Sequence, residues 1–142
     1  MDVQNAESEI QAILEVSSMN KIKMNIWGRQ FELPVVIKQF KGKEITDTQR
    51  DSYEKFTCHL DIVNSTQNYM EEYILENGGR EHGADKVDNI FKYIIPKSIY
   101  VPKTSKRIVA VLCDYKYDME HGVAIIFENE KLKSIGPQDL IL

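Results

Sequence analysis

Apolar side chains recur at intervals of three and four residues through the middle of this chain, and this periodicity constrains the fold more than any other feature. The stripe falls in one narrow sector of a helical wheel and consists of Tyr53, Phe56, Leu60, Val63, Gln67, Met70 and Ile74. Thr46-Asp47-Thr48-Gln49 has the form of a capping box, and Gly78-Gly79 supplies a stop. The pattern predicts a long amphipathic helix over about residues 47–76, which the weak helix formers Asn64-Ser65-Thr66 could bend.

Period-two alternation on either side of this helix predicts β-strands. Residues 21–27 and 30–38 alternate across a turn that contains Gly28, as in a β-hairpin with one solvated face. Pro34 lacks an amide donor, so it fits an edge strand or a bulge better than a central strand. Later strands are predicted at 98–101, 107–115 and 122–128, with short closing segments at 132–135 and 140–142. The strands 107–115 and 122–128 are apolar on both faces, which is typical of the middle of a sheet.

A second, shorter helix is predicted over about residues 84–94, and Pro96 would end it. Its apolar face consists of Val87, Ile90, Phe91 and Ile94. The order of elements along the chain is strands, helices, strands. The predicted fold class is therefore α+β, with a mainly antiparallel sheet and both helices, the long amphipathic one and the shorter one, packed on one face.

The length of the chain indicates one domain. Residues 1–142 contain no repeat and no flexible linker, so a single domain is expected, with 1–20 as a variable N-terminal segment. Within that segment, 6–16 is predicted to form a short helix or to enter the sheet. The N-terminus carries acids where a signal peptide carries lysines, and no apolar run is long enough to span a bilayer. A cytoplasmic protein without a membrane partner is expected, and its two cysteines agree with a reducing compartment.

Charge is distributed unevenly along the chain. The net charge of −4 argues against a nucleic acid partner. Residues 21–43 carry a local charge of +5, whereas residues 44–95 carry −6. Such a surface is either simply solvated or offers a charged face to a partner.

The densest polar cluster surrounds Asp114, Asp118, Glu120 and His121. It matches no calcium loop, because Lys116 stands where an oxygen ligand is needed. Paired histidines at helical spacing and a CxxC motif are also absent from the sequence, so we expect no metal, no cofactor and no catalytic residue. The cluster is interpreted as a hairpin loop in which acids accept backbone amides and Gly122 adopts a positive φ.

A second, weaker apolar strip lies opposite the main stripe of the predicted long helix and comprises Cys58, Ile62, Tyr69 and Tyr73. Acidic residues border it, namely Asp51, Glu54, Asp61, Glu72 and Glu76. A helix packed on a sheet needs only one apolar face. Either another helix covers the strip, or the strip is an exposed surface for protein–protein contact. In the second case the predicted contact residues are Tyr69, Tyr73, Asp61, Glu72 and Glu76.

The C-terminal third carries a recognisable pattern. It reads D-x-x-x-D-x-E-H-G-x-A-I-x-F from Asp114 to Phe127 and ends in G-P-Q-D at Gly136, and an early strand contains G-x-x-x-x-L-P. In these features the chain resembles a family of small stand-alone bacterial domains of unknown function. Several such families are suspected immunity proteins of polymorphic toxin or contact-dependent inhibition systems. The resemblance implies an immunity role and brings no catalytic residues.

Three functional hypotheses follow. The leading one is a cytosolic binding protein, not an enzyme, that neutralises a cognate toxin domain by occluding its active site. A basic nuclease toxin would suit the acidic helix face. The alternative is a metal- or small-ligand-binding module, or a hydrolase, that uses the 114–121 loop. The third is a structural protein that self-associates through the second helix strip.

Overall fold

The computed structural model describes residues 21–40 and 42–142, so the predicted helix at 6–16 lies outside the described residues. Six strands in this part of the chain form one sheet whose spatial order follows the sequence. They are β1 (Lys21–Ile26), β2 (Arg29–Ile37), β3 (Ile94–Val101), β4 (Ile108–Tyr115), β5 (Val123–Glu128) and β6 (Lys131–Gly136). Neighbouring strands are antiparallel except β2 and β3, which are parallel and are joined by the helical segment, a connection long enough for the crossover that a parallel pair needs. The predicted α+β class with a mainly antiparallel sheet is confirmed.

The predicted first hairpin is also confirmed. It turns at Trp27 and Gly28, whose φ angles of 52° and 87° are both positive. A two-residue turn with two positive φ angles matches the twist of the flanking strands. Pro34 is the last β2 residue paired with β1, and pairing with β3 begins at Val35. The residue without an amide donor therefore lies where β2 passes from one partner to the next, although β2 is not an edge strand.

The prediction of one long helix is wrong, because three shorter helices take its place. They are α1 (Asp47–Thr57), α2 (Asp61–Asn64) and α3 (Gln67–Ile74), followed by a π-helical turn at Leu75–Gly79. The predicted capping box does open α1. The Thr46 hydroxyl accepts the Gln49 amide at 3.1 Å, and the Gln49 side-chain oxygen accepts the Thr46 amide at 3.0 Å.

Side-chain hydrogen bonds account for the break between α2 and α3. The hydroxyls of Ser65 and Thr66 donate to the carbonyls of Ile62 and Val63 at 2.6 and 2.7 Å. Hydroxyl groups that bond back to the preceding turn compete with the helical ladder. Thr66 also accepts a 3.1 Å hydrogen bond from the Trp27 indole, so the hairpin turn is tied to this break.

The helical layer nevertheless buries the predicted side chains. Phe56, Val63, Met70 and Ile74 are buried in the main core, whereas Tyr53, Leu60 and Gln67 are half-buried. The face of the sheet that they cover is called the front face here. The ring centroids of Phe56 and Phe127, which lies on β5, are 5.6 Å apart. Full burial of such side chains stabilises the fold by roughly 1.5–3 kcal/mol each.

The predicted second helix at 84–94 is wrong. Only a short 3-10 turn forms, at Ile90–Lys92, and its N-terminal residue Asn89 accepts the Phe91 amide. Ile94 already belongs to β3, where it pairs with Tyr115. The β-branched pair at 94–95 is therefore drawn into the sheet. Pro96 does not end a helix; it lies within β3, next to an irregularity in the pairing with β4.

The two central strands are apolar on both faces, as predicted. Their front-face side chains join the main core, which includes Val111 and Ile125. A second cluster on the opposite face, called the back face here, contains Ala110, Ala124 and Ile126. None of the helices in the described part of the chain is long and apolar enough to span a membrane.

Candidate functional site

A groove of about 480 Å³ opens between the helical layer and the edge of the sheet. Its two walls come from α3 with the turn that follows it and from β6. The lining residues are Tyr69, Glu72, Tyr73, Glu76, Leu132, Lys133, Ser134 and Ile135. The groove therefore joins part of the second apolar strip to the last strand of the sheet.

Helical spacing builds the first wall. Tyr69 and Tyr73 lie one turn apart, and so do Glu72 and Glu76, because residues four apart share a helical face. The Tyr69 side chain is 61% exposed, whereas Tyr73 is half-buried with its ring centroid 5.8 Å from that of Tyr115. Tyr69 is thus free for contact, while Tyr73 anchors the wall to the core.

The ionisation of Tyr73 follows from this position. Burial, and secondly the nearby charge of Asp118, raise the pKa of the Tyr73 phenol above its ordinary value. The phenol therefore stays neutral at physiological pH and can donate a hydrogen bond.

The second wall is the edge strand β6. It pairs with β5 and has no second neighbour among the described strands. Leu132 and Ile135 are half-buried against the core, and the register with β5 shifts near Leu132. Lys133 forms an ion pair of 3.6 Å with Glu128.

The two acidic residues of the groove, unlike Lys133, form no ion pair with a described residue. Both Glu72 and Glu76 are exposed, and neither forms an ion pair within residues 21–40 and 42–142. The helical wall therefore presents two carboxylates that no described basic side chain neutralises.

Four of the five predicted contact residues line the groove, and Asp61 does not. Asp61 begins α2, beyond the break at residues 65–66 that separates α2 from α3. Asp61 and Tyr69 therefore do not lie on one continuous helix. Sequence reasoning missed the four lining residues of β6. The signal available for them was the position of 132–135 among the short closing segments of a mainly antiparallel sheet, where an edge strand is expected.

The four residues of the alternative ligand site are dispersed. The Asp118 carboxylate accepts the backbone amide and the imidazole Nδ1 of His121 at 3.1 and 3.0 Å. Asp114 pairs instead with Lys97 at 3.6 Å, and Glu120 is exposed. Across the described ranges, no three His, Cys, Asp or Glu side chains are grouped so that they could hold a metal ion.

The contact between Asp118 and His121 shifts both pKa values. The hydrogen bonds from the backbone and side chain of His121 lower the pKa of Asp118 below its ordinary value. The hydrogen bond to Asp118, with the charges of Asp118, Asp139 and Glu120, raises the pKa of His121. The predicted hairpin loop is confirmed, since Asp118 accepts a backbone amide and Gly122 has a φ of 61°.

The turn at Gln138–Leu140, called the closing turn here, holds this loop in place through hydrogen bonds. Gln138 donates its side-chain amide to the Cys113 carbonyl at 3.0 Å and its backbone amide to the His121 carbonyl at 3.2 Å. A side chain at Gly122 would collide with Gln138 and the Cys113 carbonyl. Cys113 itself is buried, and burial raises the pKa of its thiol, which makes it a poor nucleophile. The two halves of the C-terminal sequence pattern thus stabilise each other.

Of three comparisons with known proteins, only the comparison with family models finds a match. No curated protein and no solved structure matches the chain. A family model described as a domain of unknown function, DUF6985, matches residues 7–142. The match includes the alternating β1–β2 hairpin, the helical layer and the C-terminal pattern described above. The chain therefore belongs to the DUF6985 family of domains of unknown function.

Proposed function

We propose that this domain is a protein-binding module of the immunity type, which neutralises a cognate toxin domain in the bacterial cytosol through the groove between α3 and β6. The observation that carries the proposal is the exposed Tyr69 at a groove whose two carboxylates have no described ion-pair partner. Tyrosines beside a concave surface are frequent anchors of protein interfaces. The resemblance to suspected immunity families is consistent with this role.

The tyrosine and the two glutamates of the groove are expected to contribute to binding in different ways. Tyr69 supplies contact area and a phenol group, so it governs how long the complex lasts. Glu72 and Glu76 attract a basic surface over several ångströms, so they govern the rate of association. A toxin with a basic substrate groove, such as a nuclease, is the partner that suits this arrangement.

Binding kinetics against a toxin domain, sought among the products of the neighbouring genes, test the proposal. Tyr69→Ala should raise the dissociation rate about thirtyfold, which is the loss of about 2 kcal/mol expected of an interface hot spot. Phe40→Ala is the matched control, because Phe40 is an aromatic residue of similar exposure, 51%, outside the groove. Equal kinetics for both variants, with the fold intact, would contradict the assignment of this surface.

The acid pair provides a second measurement on the same complex. The double variant Glu72→Gln/Glu76→Gln should slow association and flatten its dependence on salt. Glu54→Gln/Glu81→Gln removes the same charge from exposed positions outside the groove and should leave the association rate nearly unchanged. If the toxin domain binds neither the wild-type protein nor any variant, the immunity role is wrong.

A further inference from the structure

The groove reaches the edge of β6 that no other described strand pairs with, and not just one face of the strand. Its lining includes four consecutive residues of the strand, from Leu132 to Ile135. Leu132 and Ile135 pack on the front-face core, whereas Ser134 pairs with Ile126 of the back-face cluster, so a cavity that they all line runs along the edge. At an edge, backbone N–H and C=O groups have no strand partner.

We propose that the groove takes up an extended segment of the partner protein, which adds to the sheet as a further strand beside β6 and carries basic side chains toward α3. This inference rests on the proposed function and specifies how the partner is held. Main-chain hydrogen bonds to an exposed edge supply affinity, and the side-chain pockets along it supply specificity.

The side chains of the added strand that point to the front face meet the helical wall. There the aromatic rings of Tyr69 and Tyr73 alternate with the carboxylates of Glu72 and Glu76. An arginine satisfies both neighbours, because its guanidinium stacks on an aromatic ring and binds a carboxylate through two hydrogen bonds. Arginine is therefore the preferred residue at these positions.

The side chains that point to the back face meet a different environment. Lys131 pairs in register with Glu128, and Lys133 forms an ion pair with the same carboxylate. Glu128 in turn pairs with Ile108 of the back-face cluster, so both lysines lie toward the back face. Small polar residues suit these positions, since a basic residue would be repelled. The expected segment thus alternates basic and small polar residues.

A second copy of the same chain is a poor occupant. Because β6 carries Lys131 and Lys133, pairing two copies through this edge would place four lysines at one contact. The shift in register near Leu132 also disturbs regular pairing at that end of the strand. Edge lysines and bulges are features that discourage self-association of sheets.

A synthetic octapeptide of alternating arginine and threonine, blocked at both ends, is a suitable probe. Its control has the same arginines but proline at two threonine positions, so it keeps the charge and loses amide donors. We expect the first peptide to slow amide hydrogen exchange in β6 about tenfold and to leave β1, the other edge of the sheet, unchanged. The proline peptide should bind at least about tenfold more weakly. Equal affinity for the two peptides, protection at β1 instead of β6, or no binding of the first peptide would overturn strand addition.

Two double variants test whether the peptide binds in the groove. Glu72→Gln/Glu76→Gln should weaken binding of the arginine–threonine peptide about tenfold, whereas Glu54→Gln/Glu81→Gln should change it less than about twofold. Equal weakening by both pairs would overturn the assigned orientation of the basic side chains.

Exchange measured in the complex with the toxin domain separates this inference from the proposed function. If the toxin domain binds in a Tyr69-dependent manner while the β6 amides remain unprotected, strand addition is wrong and the immunity role stands. If the peptide protects β6 but the toxin domain does not bind, strand addition at β6 is supported and the immunity role is wrong.

Discussion

The loop at residues 114–122 and the groove beside β6 both combine carboxylates with aromatic rings, but they use their polar atoms differently. In the loop, Asp118 accepts two hydrogen bonds from His121, and Gln138 closes on the Cys113 carbonyl. In the groove, the carboxylates of Glu72 and Glu76 have no ion-pair partner within the described ranges. Groups that are already satisfied inside the chain stabilise the fold, while groups without a partner are available to a ligand.

This difference shows why a dense polar motif is weak support for a chemical site. A tight hairpin loop needs acids to accept its backbone amides and glycine to allow a positive φ, so structure alone accounts for much of the pattern around Asp118 and Gly122. A binding surface is built from side chains that are far apart in sequence. Tyr69 and Ile135, for example, line the same groove although nearly half the chain lies between them.

The largest effect that tests this comparison is expected at Gly122. Gly122→Ala adds a methyl group at a φ of 61°, where it collides with Gln138 and the Cys113 carbonyl, and should cost about 2–4 kcal/mol of unfolding free energy. Gly83→Ala is the matched control, because Gly83 also has a positive φ but open space around it, so a cost of only about 1 kcal/mol is expected. Urea unfolding of both variants measures the difference. Equal costs would show that the closing turn does not lock the loop.

A smaller effect should separate the two tyrosines of the groove. Tyr73→Ala removes a half-buried ring that packs on Tyr115 and should cost about 1–2 kcal/mol. Tyr69→Ala removes an exposed ring and should change the unfolding free energy by less than about 0.5 kcal/mol. Thermal and urea unfolding can compare the variants. A loss at Tyr69 as large as that at Tyr73 would mean that Tyr69 serves the fold and not a partner.

The smallest effect concerns the pH dependence of the loop. The lowered pKa of Asp118 stabilises the fold above the ordinary carboxylate pKa, and this contribution is lost as pH falls through the lowered value. The raised pKa of His121 stabilises the fold below the ordinary imidazole pKa, and this contribution is lost as pH rises through the raised value. Both act together between about pH 4 and 6.5.

Unfolding curves across pH can detect this window. The difference in stability between wild type and Asp118→Asn should be greatest between about pH 4 and 6.5 and shrink on either side. His121→Gln should abolish the decline at higher pH and reduce the decline at acid pH, because only the backbone amide of residue 121 would still donate to Asp118. Both side chains are exposed, so the effect is expected to be small. A difference that does not vary with pH would show that the two groups are not coupled.

Local chemistry made some elements predictable. The capping box at Thr46 and Gln49, the alternation of β1 and β2 and the positive φ of Gly122 each depend on residues close together in sequence. The burial of Phe56 and Met70 also follows from spacing, because a stripe of seven-residue intervals returns to nearly the same direction even when short breaks interrupt the helix.

Tertiary contacts decided the rest. The break at Thr66 is reinforced by the Trp27 indole, which comes from a hairpin far earlier in the chain. Ile94 has the spacing of a helical residue but is drawn into β3 by its pairing with Tyr115. The site shows the same limit. Local spacing placed Tyr69 and Glu72 on one face, but the opposite wall could be assigned only once the strand order made β6 an edge.

The parallel pairing of β2 with β3 has a consequence for how the chain folds. Val35 meets Ile99 only after the entire helical segment between them has been enclosed, whereas the antiparallel neighbours join across much shorter loops. Because closing a long loop costs more chain entropy, we expect this pairing to form after the β1–β2 hairpin and the antiparallel segment β3–β6. The chain has one tryptophan, Trp27, which lies in the turn of the first hairpin and is buried against Thr66 and Phe91 of the segment that connects β2 to β3. The fluorescence of Trp27 should therefore report when the first hairpin and the connecting segment come into contact during folding.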